Sequence, residues 1–491
     1  MNQRIRRLTL FLLALYVVLF AQLNVLQVVR KDSLDADSRN NRQTVRDYNE
    51  PRGEIVTIDG VVIARSLPND PGSEFALRRE YPTGELFSSV TGYYTFSFGA
   101  SQLERTMNDV LAGRTTEQQV KGLAALFTGA DTTGSVEVTL DSRIQAAARD
   151  ALGDREGSVV VLDVATGAVE AMWSRPTFDP NVFAVQNDDL LRDIFAFGNA
   201  TPGKPLLANA YQERYMPGST FKVITMAAAL DAGVVTTEST FADEAEFLPP
   251  QTIDPIENYG GSTCGGDLAE VFRRSCNTAF AHIALDLGPE AMVAATERFG
   301  VGTEIPFDLP RPATARFGSV EYFEQNLPLL AIGGFGQGET QLSPLHMAMV
   351  AASVANGGRM MRPHVVAATY DHDGRLLDRT VPGVWQTPMS EPTAELITSL
   401  MIGVVNEGTA RCCMALAGGI QAAAKTGTAQ LNGPGEPERS HAWIIGFAPA
   451  EQPKYAIAVM LKGTDAEISA GTGGTLAGPV AKKVLDVALS L

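Results

Sequence analysis

The sequence predicts an α+β protein: one large domain whose sheet is assembled from segments at both of its ends, behind an extended β-rich module and one N-terminal transmembrane helix. Three observations carry that reading. The stretch from Leu8 to Val29 holds no charge, strand patterns begin near residue 157 and return after residue 420, and helical periodicity dominates between them.

The apolar run comes first in the chain. At about 1.5 Å per residue, a helix of that length crosses a bilayer core of about 30 Å. No small-x-small cleavage site follows it, and it is long for a secretory signal, so an uncleaved anchor at 8–29 is expected rather than a signal peptide. Arg4, Arg6 and Arg7 precede it while Arg30, Lys31, Arg39 and Arg42 follow, so positive residues alone do not orient it.

Residues 33–140 read as a membrane-proximal module. There "GEIVTIDGVVIA" alternates around an Asp59-Gly60 turn, and residues 100–113 suggest a short helix. Asp141 opens a helix. "GSVVVLDVATGAVEAMWS" then reads as two strands joined by an Ala-Thr-Gly turn, which starts a large domain over 141–491. Helical runs follow at 219–233, 267–287, 289–299, 342–357 and 391–407. Strand patterns return as "AAAKTGTAQL", "HAWIIGFAPA" and "KYAIAVMLKG" before a closing helix.

Composition excludes several functions. With 491 residues, 45% of them hydrophobic and 19% charged, the chain is long enough for two or more folded domains. A net charge of -17 without a basic stripe argues against a nucleic-acid partner. Cys264, Cys276, Cys412 and Cys413 lack zinc-knuckle spacing and the five histidines are scattered, so neither metal nor cofactor is expected. Spacing does not decide whether Cys264 and Cys276 pair. Adjacent Cys412 and Cys413 would bridge only through a strained ring, and free thiols are the expectation.

Three short motifs carry the chemistry. In Ser219-Thr220-Phe221-Lys222, a helix beginning at the serine sets the lysine one turn along on the same face, where a neutral amine could act as base. Ser275-Cys276-Asn277 offers a hydroxyl that can relay protons and an amide that can hold a carbonyl, although Asn277 as a plain helix cap is the bland alternative. Lys425-Thr426-Gly427-Thr428 lies on a strand. The lysine and hydroxyls could bind a carboxylate, Gly427 leaves room for a ligand along the strand, and Thr428 can offer its N–H. Each alone is weak. Together and in this order they match the SxxK, Ser-x-Asn and KTG signature shared by penicillin-binding proteins and serine β-lactamases.

On these motifs the sequence resembles a class B penicillin-binding protein of the actinobacterial PbpA type over essentially its whole length. "PRGEIVTIDGVVIARS", "VTLDSRIQ", "DVATGAVEAMWSRPTFDPN", "GGFGQGETQLSPLHMAMVAASVANGG", "NEGTARC" and "HAWIIGFAP" agree with it. The resemblance implies a serine transpeptidase/β-lactamase-like domain, a central antiparallel sheet with a helical subdomain, preceded by a dimerisation or pedestal module. It implies a peptidoglycan D,D-transpeptidase in which Ser219 attacks the penultimate D-Ala carbonyl of a stem peptide and Lys222 takes its proton. Ser275 and Asn277 would relay protons and hold the donor. Lys425 and Thr426 would receive the terminal carboxylate, Gly427 and Thr428 would complete the substrate-binding strand, and the backbone N–H groups of Ser219 and Thr428 would form the oxyanion hole.

Implied partners are peptidoglycan stem peptides, β-lactams that acylate Ser219, and a membrane glycosyltransferase of the RodA/FtsW type in elongation or division. The implied topology puts residues 1–7 in the cytoplasm and the catalytic domain outside. Neither a glycosyltransferase region before residue 140 nor a repeat module after Leu491 is expected. Ala424 stands where the family usually has Gly, and Ala210 where Arg is common; both bear on substrate preference rather than on the reaction. A D,D-carboxypeptidase, a serine β-lactamase, a penicillin-sensing receptor and a scaffold for a glycosyltransferase are the competing readings.

Overall fold

The computed structural model describes residues 2–25, 48–73, 75–118, 131–185, 187–431, 439–464 and 466–491. It forms two compact units, Met1–Pro51 with Leu67–Arg78, and Arg52–Ser66 with Arg79–Leu491. In the first, helix α1 (Asn2–Asn24) contains a 22-residue span, Gln3–Asn24, with an 18-residue stretch of mean hydropathy 1.7, long enough to cross a membrane. The helix starts ahead of the expected Leu8 because Gln3, Arg4, Arg6 and Arg7 are good helix formers. Residues 26–29 of the expected anchor, and 33–47 and 119–130 of the expected module, lie outside the described residues.

In the second unit the Asp59-Gly60 turn joins β1 (Ile55–Val56) to β2 (Val62–Pro68), with Ile55 opposite Ala64. β1 also pairs in parallel with β3 (Gly134–Val138). Helix α2 (Ser142–Leu152) is capped by Asp141, whose side chain accepts the N–H of Arg143, as its position predicts. β4 (Gly157–Asp163) and β5 (Val169–Arg175) form the expected hairpin.

Helix α3 (Lys222–Asp231) follows a single 3-10 turn, Gly218–Phe221. The run expected over 267–287 is interrupted: α4 (Leu268–Arg274) stops, Ser275 takes the left-handed region at φ 62 and ψ 46, and α5 (Asn277–Arg298) begins. Within α5 the helical path breaks at Gly288, whose φ of 75 and ψ of 169 are non-helical, just before Pro289, so the expected boundary between the runs ending at 287 and starting at 289 is present. Next come α6 (Pro344–Ala355), β6 (Val366–Asp371), β7 (Leu376–Arg379) and α7 (Glu391–Asn406). The terminal strands are β8 (Ala423–Gln430), β9 (Ser440–Ala448) and β10 (Tyr455–Leu461), and α8 (Gly478–Ser490) closes the chain.

The main sheet is antiparallel throughout, in the order β8-β9-β10-β4-β5, so segments from both ends of the domain do build it. β9 and β10 are buried at every position, which requires cover on both faces. α6 packs on one face, and α2 with α8 on the other. β8 is an edge strand, leaving alternate backbone groups free for a ligand or a neighbouring turn.

The other large sheet, of six strands, is only partly legible in the sequence. β3 pairs with β6, and β6 with β7, so this sheet draws strands from both sides of residue 141. Its 366–379 hairpin turns on Asp371, whose side chain accepts the N–H groups of Asp373 and Arg375. Nearby Glu104 is wholly buried between Arg52 and Arg79; burial opposes its charge, but the two guanidiniums outweigh that and hold its carboxyl below the usual range.

The expectation of free thiols is overturned: Cys264 pairs with Cys276 and Cys412 with Cys413. The strand Cys264–Asp267 brings Cys264 within 5.6 Å, Cα to Cα, of Cys276, a separation that spacing along the chain could not reveal.

Candidate active site

Ser219 lies inside the 3-10 turn that feeds α3, not at a capping position; Pro217 precedes the turn without a side-chain cap. Gly218 makes the turn possible. Its φ of 55 is left-handed, and a Cβ there would sit 2.7 Å from the Thr428 carbonyl of β8. The nucleophile's turn is thereby laid against the edge strand. Gly427 does the same from the opposite side, since a Cβ there would lie 2.7 Å from the Pro217 carbonyl. To the expected reason for Gly427, room for a ligand, the structure adds a second: room for the turn that carries Ser219.

Lys222 is fully buried, with its amine 5.2 Å from the Phe280 ring and 5.8 Å from that of Phe335. It donates to the Ser275 carbonyl at 2.7 Å and to Asn277 Oδ1 at 2.9 Å, and lies 3.2 Å from Ser275 Oγ. Among the described residues the Ser219 hydroxyl has no hydrogen-bond partner. Three oxygens of the 275–277 turn hold the amine instead. Lys425, also fully buried, donates to Ser275 Oγ at 2.8 Å. One hydroxyl therefore bridges both lysines.

Burial is the main cause that pushes Lys222 well below the ordinary lysine range, and the charge of Lys425 adds to it. Burial likewise lowers Lys425, to about 7. A neutral Lys222 can accept a proton from Ser275 Oγ while that oxygen accepts one from Lys425, so the hydrogen bonding is consistent with one charged and one neutral amine.

The interruption between α4 and α5 aims Ser275. Its left-handed backbone costs about 1–2 kcal/mol for a non-glycine residue. Bonds from Ser275 N to the Phe272 carbonyl and from Cys276 N to that of Val271, together with the Cys264–Cys276 link, hold it there. Asn277 is not a cap. Buried Asn258 does the capping from a separate loop, its Oδ1 accepting from Asn277 N at 2.7 Å and Thr278 N at 3.2 Å. That leaves the Asn277 amide to accept from Lys222 and to donate to the Glu257 carbonyl at 3.0 Å. Replacing Asn258 with Ala should cost about 1–2 kcal/mol, readable in urea denaturation, and should slow acylation as Ser275 and Asn277 lose their placement.

Thr426 Oγ1 lies 2.5 Å from Thr409 Oγ1, and Thr428 Oγ1 accepts from Gly473 N at 3.4 Å. These hydroxyls line a cleft of about 910 Å³ together with Ser219, Ser275, Asn277 and Gly427. The two lysines lie beneath its floor. Ala424 is fully buried and outside the lining, so the departure at that position concerns packing. Sequence reasoning missed Asn258, Glu257 and Thr409. Thr409 stood within a quoted matching segment, whereas nothing local marked the other two. Among the described residues no cluster of His, Cys, Asp or Glu has metal-binding geometry.

The penicillin binding protein transpeptidase domain matches residues 157–486. The chain belongs to the class B penicillin-binding proteins. Residues 52–136 match the penicillin binding protein A dimerisation domain. The chain is 36% identical over 502 residues to the peptidoglycan D,D-transpeptidase PbpA of Mycobacterium tuberculosis, across 100% of this chain and 99% of that one. It is 28% identical over 491 residues to the peptidoglycan D,D-transpeptidase MrdA of Escherichia coli K12, covering 87% and 74%. Among solved structures, the ceftriaxone acyl-enzyme complex of penicillin-binding protein A from M. tuberculosis superposes with a TM-score of 0.84 at 33% identity, covering 91% of this chain and 100% of that one. The D,D-transpeptidase domain of an Eggerthella lenta peptidoglycan glycosyltransferase gives 0.76 at 30% identity, covering 90% and 99%. For a penicillin-binding protein, α1 fits a single-pass membrane anchor.

Proposed function

We propose that this penicillin-binding protein is a serine-type peptidoglycan D,D-transpeptidase whose reaction runs through Ser219, Lys222, Ser275, Asn277 and the Lys425–Thr428 strand. The observation that carries the assignment of roles is the Ser275 hydroxyl, 3.2 Å from Lys222 Nζ and 2.8 Å from Lys425 Nζ under the cleft that Ser219 lines.

Neutral Lys222 takes the Ser219 proton as Oγ attacks the penultimate D-Ala carbonyl of a stem peptide. Ser275 returns that proton to the leaving D-Ala nitrogen, and Asn277 holds both Lys222 and the donor peptide. Lys425, Thr426 and Thr428 receive the terminal carboxylate, and Gly427 lets their strand approach the nucleophile. The backbone N–H groups of Ser219 and Thr428 bind the oxyanion; the close approach of β8 to the Ser219 turn supports that pairing. A neighbouring stem's amine then resolves the acyl-enzyme into a cross-link, and a β-lactam acylates Ser219 as a donor mimic.

Residues 1–7 are cytoplasmic in this reading, 8–29 the anchor, 33–140 the pedestal and 141–491 the catalytic domain outside the membrane, where peptidoglycan lies. The anchor and pedestal engage a membrane glycosyltransferase of the RodA/FtsW type. Peptide mapping of the detergent-solubilised full chain after benzylpenicillin treatment tests the chemistry: a long-lived penicilloyl ester on the Ser219 peptide is expected. Rapid loss of the adduct would point to a β-lactamase, and its absence would sink both.

A further inference from the structure

Among the described residues two charged side chains line the cleft, Glu257 and Arg274. Arg274 is engaged elsewhere, donating to the Thr263 carbonyl at 2.6 Å and lying 3.7 Å from Glu270. Glu257 is different. Its side chain is exposed, and among the described residues its carboxylate has no ion-pair partner. Its backbone is nevertheless tied to the reaction centre, because its carbonyl accepts the Asn277 amide at 3.0 Å and the next residue, Asn258, caps α5. The main chain that carries the carboxylate is thus fixed, and Glu257 lines the same cleft as Ser275 and Asn277.

The local sheet has no use for the charge. Glu257 lies in the strand Ile256–Glu257, directly opposite Glu246 of the antiparallel strand Glu246–Phe247. Like charges at opposed positions destabilise a strand pair, so the sheet on its own would favour a neutral or basic residue here.

We propose that Glu257 is the recognition residue for the acceptor: it receives the ammonium group of the incoming stem and delivers the amine to the acyl-enzyme. This rests on the transpeptidase reading and adds to it the charge class of the second substrate and the residue that selects it. The acceptor docks on Glu257 as an ammonium, releases one proton to solvent and attacks as the free amine. A C–N bond forms and the bond from the acyl carbon to Ser219 Oγ breaks. The second amine proton passes through Ser275 and Lys222 to Ser219 Oγ, which restores the resting enzyme.

The test uses the full chain with an acyl-D-alanyl thioester donor and two acceptors: Nα-acetyl-lysinamide, cationic at neutral pH, and hydroxylamine, neutral there. Glu257→Gln should raise KM for the cationic acceptor by about three- to tenfold, with product shifting from aminolysis to hydrolysis, and leave the hydroxylamine product unchanged. Glu257→Asp should recover part of the preference. Equal losses with both acceptors would make Glu257 a structural support acting through its carbonyl, and no change with either would also overturn the proposal. Penicillin acylation of the wild type, measured on the same sample, tests the underlying reading separately.

Discussion

Ser219→Ala yields a folded protein that no longer forms a covalent penicillin adduct. The Ser219 side chain is half-buried at the cleft and has no side-chain hydrogen bond among the described residues, so losing its hydroxyl should change stability by less than about 0.5 kcal/mol. Covalent chemistry has no substitute there. Acylation should fall by roughly 10⁴- to 10⁶-fold, the scale seen when a serine nucleophile is removed from a hydrolase. A fluorescent penicillin band on a gel, beside a thermal melt of the same preparation, reads both quantities. Persistent labelling of a folded variant would place the nucleophile elsewhere.

Lys222→Met comes next, with acylation slowed by about 10²- to 10⁴-fold, the usual worth of a general base. The pH profile separates the two lysines. Lys222 must be neutral, so the rate rises with pH through its depressed pKa and then levels. Lys425 must stay charged to hold a carboxylate, so the rate for an anionic β-lactam falls as pH passes about 7. The free enzyme should show a bell in the second-order acylation rate, and Lys425→Arg should remove its descending limb because a guanidinium keeps its proton. A limb unmoved in that variant would count against Lys425 as the carboxylate's partner.

Stability follows the same groups with a definite sign. Lys425 is lowered from 10.5 to about 7 on folding, so between those values the unfolded chain holds a proton that the folded chain does not. Its contribution is a cost, fully present below about 7 and relieved as pH rises toward 10.5. Chemical denaturation of wild type against Lys425→Met across that window should show the difference shrinking as pH rises.

How much of this was readable before folding depends on how local each signal is. The hairpin at 157–175, the cap at Asp141 and the terminal strands announce themselves through short apolar runs, turn residues and a capping side chain, each within one short window. The break at Ser275 did not. Apolar residues run on both sides of it, and a serine in the left-handed region carries no composition signal. The Asn258 cap, the Glu257 carbonyl and the 366–379 strands act across long separations, so no local pattern marks them as partners.

By itself the sequence marked the residue types of the proposed site and their order along the chain, because the proposed nucleophile, relay and carboxylate-binding strand each need particular side chains in short fixed spacings. The anchor helix and the strands of the main sheet were legible as continuous apolar runs of helix and strand length. Only the tertiary structure decided that Lys222 faces Ser275 and Asn277 rather than bonding Ser219, and that Ser275 bridges two buried amines. It also decided that Asn277 is freed from capping by Asn258. The reason is physical: amine basicity depends on burial and on neighbouring charge, and both are set by elements that meet only when the helical insert closes over β8.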